Sequence, residues 1–359
     1  MRLEDFPTPN PDFERFKRAI MRETEPDRVP FFEIQIDPEI MAAILGEPVP
    51  STFDPDKERI KEKLLKDIDL MYRLGYDYVT VWNMPIFPGN FMFAEDTASL
   101  SRGARPWQSE SEGPISSRED FENYVWPDLS GKKYTRFEFV AEHMPDGMNM
   151  VAALPGVFET TRGLMGITGL CYKLSDDPSL VADVFERVGQ VTLEAVGNLS
   201  AIEGVGAVVL ADDIGFNSGL MMSPDRFREH VLPWNKTMAQ TVHNKGKLFI
   251  LHACGKIEKL MADFISDVGI DARHSFEDKI TPIEEAKQLY GHQIAVLGGV
   301  DMDLLARGSE EAVRKRTREI ISVCAPGGGF ALGTGNSAAN FILPENFLAM
   351  LDEGVRSRA

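Results

Sequence analysis

The residues best suited to chemistry are His252 and Cys254, in the run Phe249-Ile250-Leu251-His252-Ala253-Cys254-Gly255. Two positions apart on an extended strand, their side chains point to one side, and imidazole with thiolate is a zinc-binding combination. Gly255 lets the backbone turn directly after them. By residue type alone, the commoner outcome is a buried cysteine acting as a small apolar group and a histidine with a satisfied hydrogen bond. A zinc site needs three or four ligands, so the pair requires partners. Asp212, Glu159 and His274, which close or follow other apolar runs, are the candidates to complete it. Cys324 precedes Ala325-Pro326-Gly327-Gly328-Gly329 and is expected at the opposite end of its strand.

Asp212-Asp213 follows the apolar run Gly206–Ala211. A carboxylate there can hold a metal, bind a cation or take up a proton. We assign that role to Asp212, and to Asp213 a helix cap or Asx turn ahead of Gly215. Asp212, His274 and Glu159 are thus the candidate catalytic residues, and Asn83, Arg162 and Asn336 the candidates for binding substrate. The guanidinium fork suits a carboxylate, and Arg22, Arg28, Arg102 and Arg105 share that chemistry, but only Arg162 follows directly on a strand end that carries a candidate.

The elements that must position these groups are short apolar runs alternating with amphipathic stretches, the pattern of parallel βαβ units. The expected strands are Val29–Ile36, Tyr76–Trp82, Met148–Leu154, Gly206–Ala211, Lys247–His252, Ile270–Ser275, Gln293–Gly299 and Gly329–Gly333. Eight such strands, with no G-x-G-x-x-G turn after the first, predict an α/β protein folded as a (β/α)8 TIM barrel, with residues 1–359 as one domain. Catalytic groups then belong at the C-terminal strand ends. Ser223-Pro224 predicts a capped start for a helix over Phe227–Ala239, and Thr281-Pro282 repeats the device. A long excursion from Asn83 to Gly147, between strands two and three, reads equally as a lid or as a surface segment packed on the barrel or on the second subunit of a homodimer.

With 43% hydrophobic and 26% charged residues, the 359-residue chain has the composition of a folded globular protein. Its net charge of −18, with 38 Lys and Arg against 56 Asp and Glu, argues against nucleic-acid binding. No apolar run reaches signal-peptide or membrane-spanning length, so a cytoplasmic protein acting on a small molecule is expected. Three cysteines are too few for a disulfide scaffold.

Several of these features occur together in a known family. Asp27-Arg28-Val29-Pro30, Ser223-Pro224 with Phe227 and Pro233-Trp234, Phe249–Gly255, Gly298-Gly299-Val300-Asp301, the Pro326–Gly329 turn and Pro344-Glu345-Asn346 span most of the chain. In them the sequence resembles the uroporphyrinogen decarboxylase superfamily, which includes zinc- and corrinoid-dependent methyltransferases. Against the decarboxylase proper there are four departures. Its arginine- and glycine-rich stretch is replaced by Phe31–Asp37, its aspartate after strand two falls at Asn83, its tyrosine near Gly163 and its histidine at Asn336. The methyltransferase branch agrees better: its zinc motif of His-x-Cys plus a distant cysteine fits His252 and Cys254, with Asn336 at the distant position. The resemblance therefore implies a zinc-dependent methyltransferase moving a methyl group between a corrinoid, or a small methylated donor, and a thiol, with a corrinoid protein as partner. A lyase acting on a carboxylate, or a non-catalytic corrinoid- or tetrapyrrole-binding protein, is the alternative.

Overall fold

The computed structural model describes residues 2–52, 54–82, 87–89, 91–131 and 133–357. Seven parallel strands form one curved sheet in the order β1 (Tyr78–Trp82), β4 (Asn149–Pro155), β5 (Val205–Ala211), β8 (Leu248–His252), β9 (Ala272–His274), β10 (Ala295–Val300) and β11 (Phe330–Thr334). Each ends within two residues of its expected limits. The remaining strands form two small hairpins, β2 (Phe91–Glu95) with β3 (Ala104–Gln108), and β6 (Gly215–Phe216) with β7 (Gly219–Leu220). The barrel strands are buried almost throughout, as expected when helices cover the outside of a parallel sheet. The architecture is α/β and TIM-barrel-like.

The first expected strand, Val29–Ile36, is where the structure departs from a regular eight-stranded ladder. On this side its backbone pairing is limited to isolated bridges, Phe31 to Leu332 in β11 and Ile36 to Ala338 beyond the end of β11. Toward β1 its backbone is held by side chains instead. The Glu33 carbonyl accepts from the Tyr78 hydroxyl (3.0 Å) and Thr80 Oγ1 (3.1 Å), and the Ile34 carbonyl accepts from the Trp82 indole (3.3 Å). Side chains standing in the gap keep the two backbones too far apart for a ladder, yet satisfy the buried carbonyls. On the other side Gly333 permits close approach, since a Cβ there would lie 1.9 Å from the Phe32 carbonyl oxygen.

The helix expected over Phe227–Ala239 is two helices, Pro224–His230 and Leu232–His243. Ser223 caps the first through the Arg226 amide, and Pro233, which lacks an N–H, stands in the first turn of the second. The excursion after β1 carries the β2–β3 hairpin and the helices Arg118–Asn123 and Thr135–His143, and it is fastened on two sides. Asn340 Nδ2 donates to Asp96 (2.7 Å) and to the Leu100 carbonyl (2.9 Å), while the Ile115 amide donates to the Leu164 carbonyl (2.9 Å). Among the described residues, no helix is long and apolar enough to cross a membrane.

Candidate functional site

At the C-terminal ends of the strands lies a cavity of about 250 Å³, bordered by Gln35, Trp82, Glu159, Asp213, His252 and Asn336 among others. Strand alternation decides which neighbours face it. Ala211 and Asp213 both line the cavity, so the intervening Asp212 points away. Asp213, expected as the cap, is thus the one on the cavity wall, and Asp212 faces a helix start instead. Asp212 is fully buried and accepts the Phe158 and Glu159 amides at 3.3 and 2.7 Å, capping the helix Val157–Met165. Burial raises its pKa to about 7 despite those two bonds.

Asp213, His252 and Cys254 come together instead. Their donor atoms lie within 4.8 Å of one another. His252 Nε2 is 3.6 Å from Cys254 Sγ and 3.8 Å from Asp213 Oδ1, which also accepts the Cys254 amide at 3.0 Å. The turn that presents Cys254 depends on Gly255, which has φ +79° and whose Cβ would meet the Gly215 carbonyl carbon at 2.5 Å. The His252 imidazole is buried, and burial lowers its pKa, with Asp213 opposing; the neutral ring is the form that ligates. Burial pushes the Cys254 thiol well up.

Two groups offset that penalty on the sulfur. Asn336 Nδ2 donates to Sγ at 3.1 Å, and Ser275 Oγ lies 3.5 Å from it, close also to the Gly335 carbonyl at 3.2 Å. Ser275 has φ +82°, unusual for a residue with a side chain. Asn336 thus sits against the cysteine as well as on the cavity wall.

Glu159 lines the cavity and is paired with Arg162 at 2.5 Å, one turn further along the same helix. Its other oxygen, Oε2, is buried without a hydrogen bond, and burial raises its pKa against the pull of Arg162. His274 is not among the residues that border the cavity: it is fully buried beneath the site, its Nδ1 2.8 Å from His252 Nδ1. Asn83 lies outside the described residues. Cys324, at the end of the helix Glu310–Cys324 that precedes β11, is remote from the mouth as expected.

Nitrogen, sulfur and carboxylate donors around one point fit a zinc ion with an open fourth position, the arrangement of catalytic rather than structural zinc sites. Sequence reasoning missed Ser275 and Trp82 and expected Asp212, not Asp213, to face the cavity. Trp82 had a signal, since it ends an apolar strand; Ser275 had none, because its approach to the sulfur depends on its backbone conformation.

A barrel that gathers such donors at the C-terminal mouth has the layout of a barrel enzyme. The chain belongs to the uroporphyrinogen decarboxylase (URO-D) family, whose model matches residues 108–356, more than half its length. That superfamily comprises enzymes, decarboxylases and methyltransferases among them. No curated protein matches the sequence. Among solved structures it is similar to a methyltransferase from Methanosarcina mazei, with a TM-score of 0.73 and 17% identity over 95% of this chain and 97% of that one. It is also similar to a protein described as a vitamin-B12 independent methionine synthase from Listeria monocytogenes, with a TM-score of 0.48 and 13% identity over 92% of this chain and 97% of that one.

Proposed function

We propose that the protein is a zinc-dependent methyltransferase in which Asp213, His252 and Cys254 hold the metal. The observation that carries this reading is the convergence of those three donors within 4.8 Å at the barrel mouth. Bound there, zinc would lower the pKa of a thiol acceptor and present it as a thiolate for methylation. The chain's own groups do the rest. Asn336 and Ser275 stabilise charge on the Cys254 sulfur. Glu159, half-buried on the cavity wall and paired with Arg162, is the carboxylate there outside the ligand set that accepts the proton of the incoming thiol. The methyl donor is a corrinoid carried by a partner protein, or a small methylated compound, approaching through the open mouth.

The cavity wall favours this over decarboxylation of a tetrapyrrole. Among the described residues no Lys or Arg borders the cavity, leaving a polycarboxylate without a cation to grip. Four of the five arginines the sequence offered bind groups of the protein itself, and the side chain of Arg105 lies outside the described residues. Arg162 pairs with Glu159, Arg102 with Asp37 and Glu39, Arg28 with Asp77, and Arg22 with the Gln293 carbonyl.

The test is elemental analysis of protein purified without added metal, followed by assay with methylcobalamin and a panel of thiols. Near-stoichiometric zinc, lost in Cys254→Ser and Asp213→Ala together with methyl transfer, is the expected result. Absence of zinc, or loss of carboxylates from uroporphyrinogen, would overturn the reading.

A further inference from the structure

The buried histidine beneath the site has a role that direct contact with substrate does not supply. We propose that His274 is a positioning residue that holds His252 as its Nδ1–H tautomer, leaving Nε2 bare for a metal. The inference rests on the ligand role proposed for His252.

The pairing follows from strand register. His252 and His274 are directly opposite in the parallel pair β8–β9, and their Nδ1 atoms meet at 2.8 Å. Both rings are buried, where an added charge is costly, and two ring nitrogens 2.8 Å apart need one proton between them. Two arrangements are open. In one, His252 donates from Nδ1, its Nε2 carries a free lone pair toward Cys254 and Asp213, and His274 carries its proton on Nε2. In the other, His274 donates, and His252 Nε2 is blocked by a proton.

The far side of His274 chooses between them. Its Nε2 is sealed from water and makes no hydrogen bond of ordinary geometry. The Thr334 carbonyl stands on that side of the ring. Both groups border Gly298, where a Cβ would lie 2.4 Å from the Thr334 oxygen and 3.1 Å from His274 Nε2. A carbonyl oxygen attracts an N–H and repels a lone pair, so it places the His274 proton on Nε2 and leaves Nδ1 as the acceptor.

Neither partner is free to rearrange. Thr334 is pinned to Glu33 by its amide at 2.6 Å and its hydroxyl at 2.9 Å, and the Phe32 ring stands edge-on against His274 at 4.9 Å. The chain from the Thr334 carbonyl through His274 to His252 thus sets the tautomer that a metal requires. Ligating histidines commonly donate their second N–H to a carboxylate or carbonyl, and losing that partner costs about 10–100-fold in metal affinity. Here the acceptor is a second imidazole.

The test uses ¹⁵N NMR of metal-free, histidine-labelled protein, with Zn²⁺ affinity measured by chelator competition and folding followed by thermal melts. The proposal expects the His252 proton on Nδ1. It expects His274→Leu to lose about 10–100-fold in Zn²⁺ affinity, and His274→Asn, whose Oδ1 replaces the Nδ1 acceptor, to stay within about threefold of wild type. A His252 proton on Nε2 in the wild-type protein, or wild-type affinity in a folded His274→Leu, would overturn it. Should wild type take up no Zn²⁺, the metal reading fails, and the NMR still decides the tautomer. Should His274→Leu not fold, the wild-type spectrum decides likewise.

Discussion

Asn336 donates its side-chain amide to the sulfur of Cys254 across 3.1 Å. The position that the resemblance matches with a further cysteine thus holds a donor to the sulfur, and in the proposed reading Asp213 supplies the third ligand. A hydrogen bond to a charged sulfur is worth about 1.5–3 kcal/mol. Asn336→Ala should therefore lower Zn²⁺ affinity by roughly tenfold or more, and Asn336→Cys, adding a second thiolate, should raise it. Chelator competition reads both; a metal affinity indifferent to Asn336→Ala would mean that the amide does not act on the sulfur.

Gly255 controls the same sulfur through the backbone. With φ +79° and a Cβ position 2.5 Å from the Gly215 carbonyl carbon, it has no room for a side chain. Gly255→Ala should destabilise the fold by about 1–3 kcal/mol and displace Cys254, with loss of Zn²⁺ binding. Denaturant unfolding and metal titration measured side by side would show this, and an alanine variant matching wild type in both would refute it.

Much of this was readable from the chain because a buried parallel strand is a short apolar run, and the residue that closes it is at the mouth. His252 and Cys254 came from that rule and from the two-residue period of a strand. Asp212 and Asp213 show where the rule stops. Adjacent residues at a strand end face opposite ways, and residue type does not say which faces in; Ala211 on the cavity wall decides it. The contact of His274 with His252 depends on register between two strands, which the periodicity of either one leaves open. Val29–Ile36 has the composition of a strand, but the side chains of Tyr78, Thr80 and Trp82 take its hydrogen bonds on the β1 side.

Ser275 offers a test in which stability and affinity separate. Its φ of +82° is strained for any residue with a Cβ, yet it brings Oγ to 3.5 Å from Cys254 Sγ. Ser275→Ala and Ser275→Gly both remove the hydroxyl, but only glycine relieves the strain. The glycine variant should be more stable than the alanine variant by about 1 kcal/mol, while both lose Zn²⁺ affinity to the same degree. An alanine variant as stable as the glycine one would show that the backbone there is not strained.

Glu33 makes the fold itself sensitive to pH. It is fully buried, and although the Thr334 amide and hydroxyl favour its ionised form, burial dominates and raises its pKa from 4.5 to about 8. For an acid with a raised folded-state pKa, the unfolded chain releases its proton first as pH climbs. The carboxyl's contribution to stability is thus complete below about pH 4.5 and is lost progressively up to about pH 8. At about 1.4 kcal/mol per unit the loss is on the order of 5 kcal/mol. Glu33→Gln keeps an acceptor for Thr334 without the charge. Its unfolding free energy, measured against denaturant from pH 4 to pH 9, should fall less steeply than that of wild type, so that the variant gains relative stability at the alkaline end. Parallel profiles for the two proteins would show that Glu33 titrates at its ordinary value and that the hydrogen bonds from Thr334 outweigh burial.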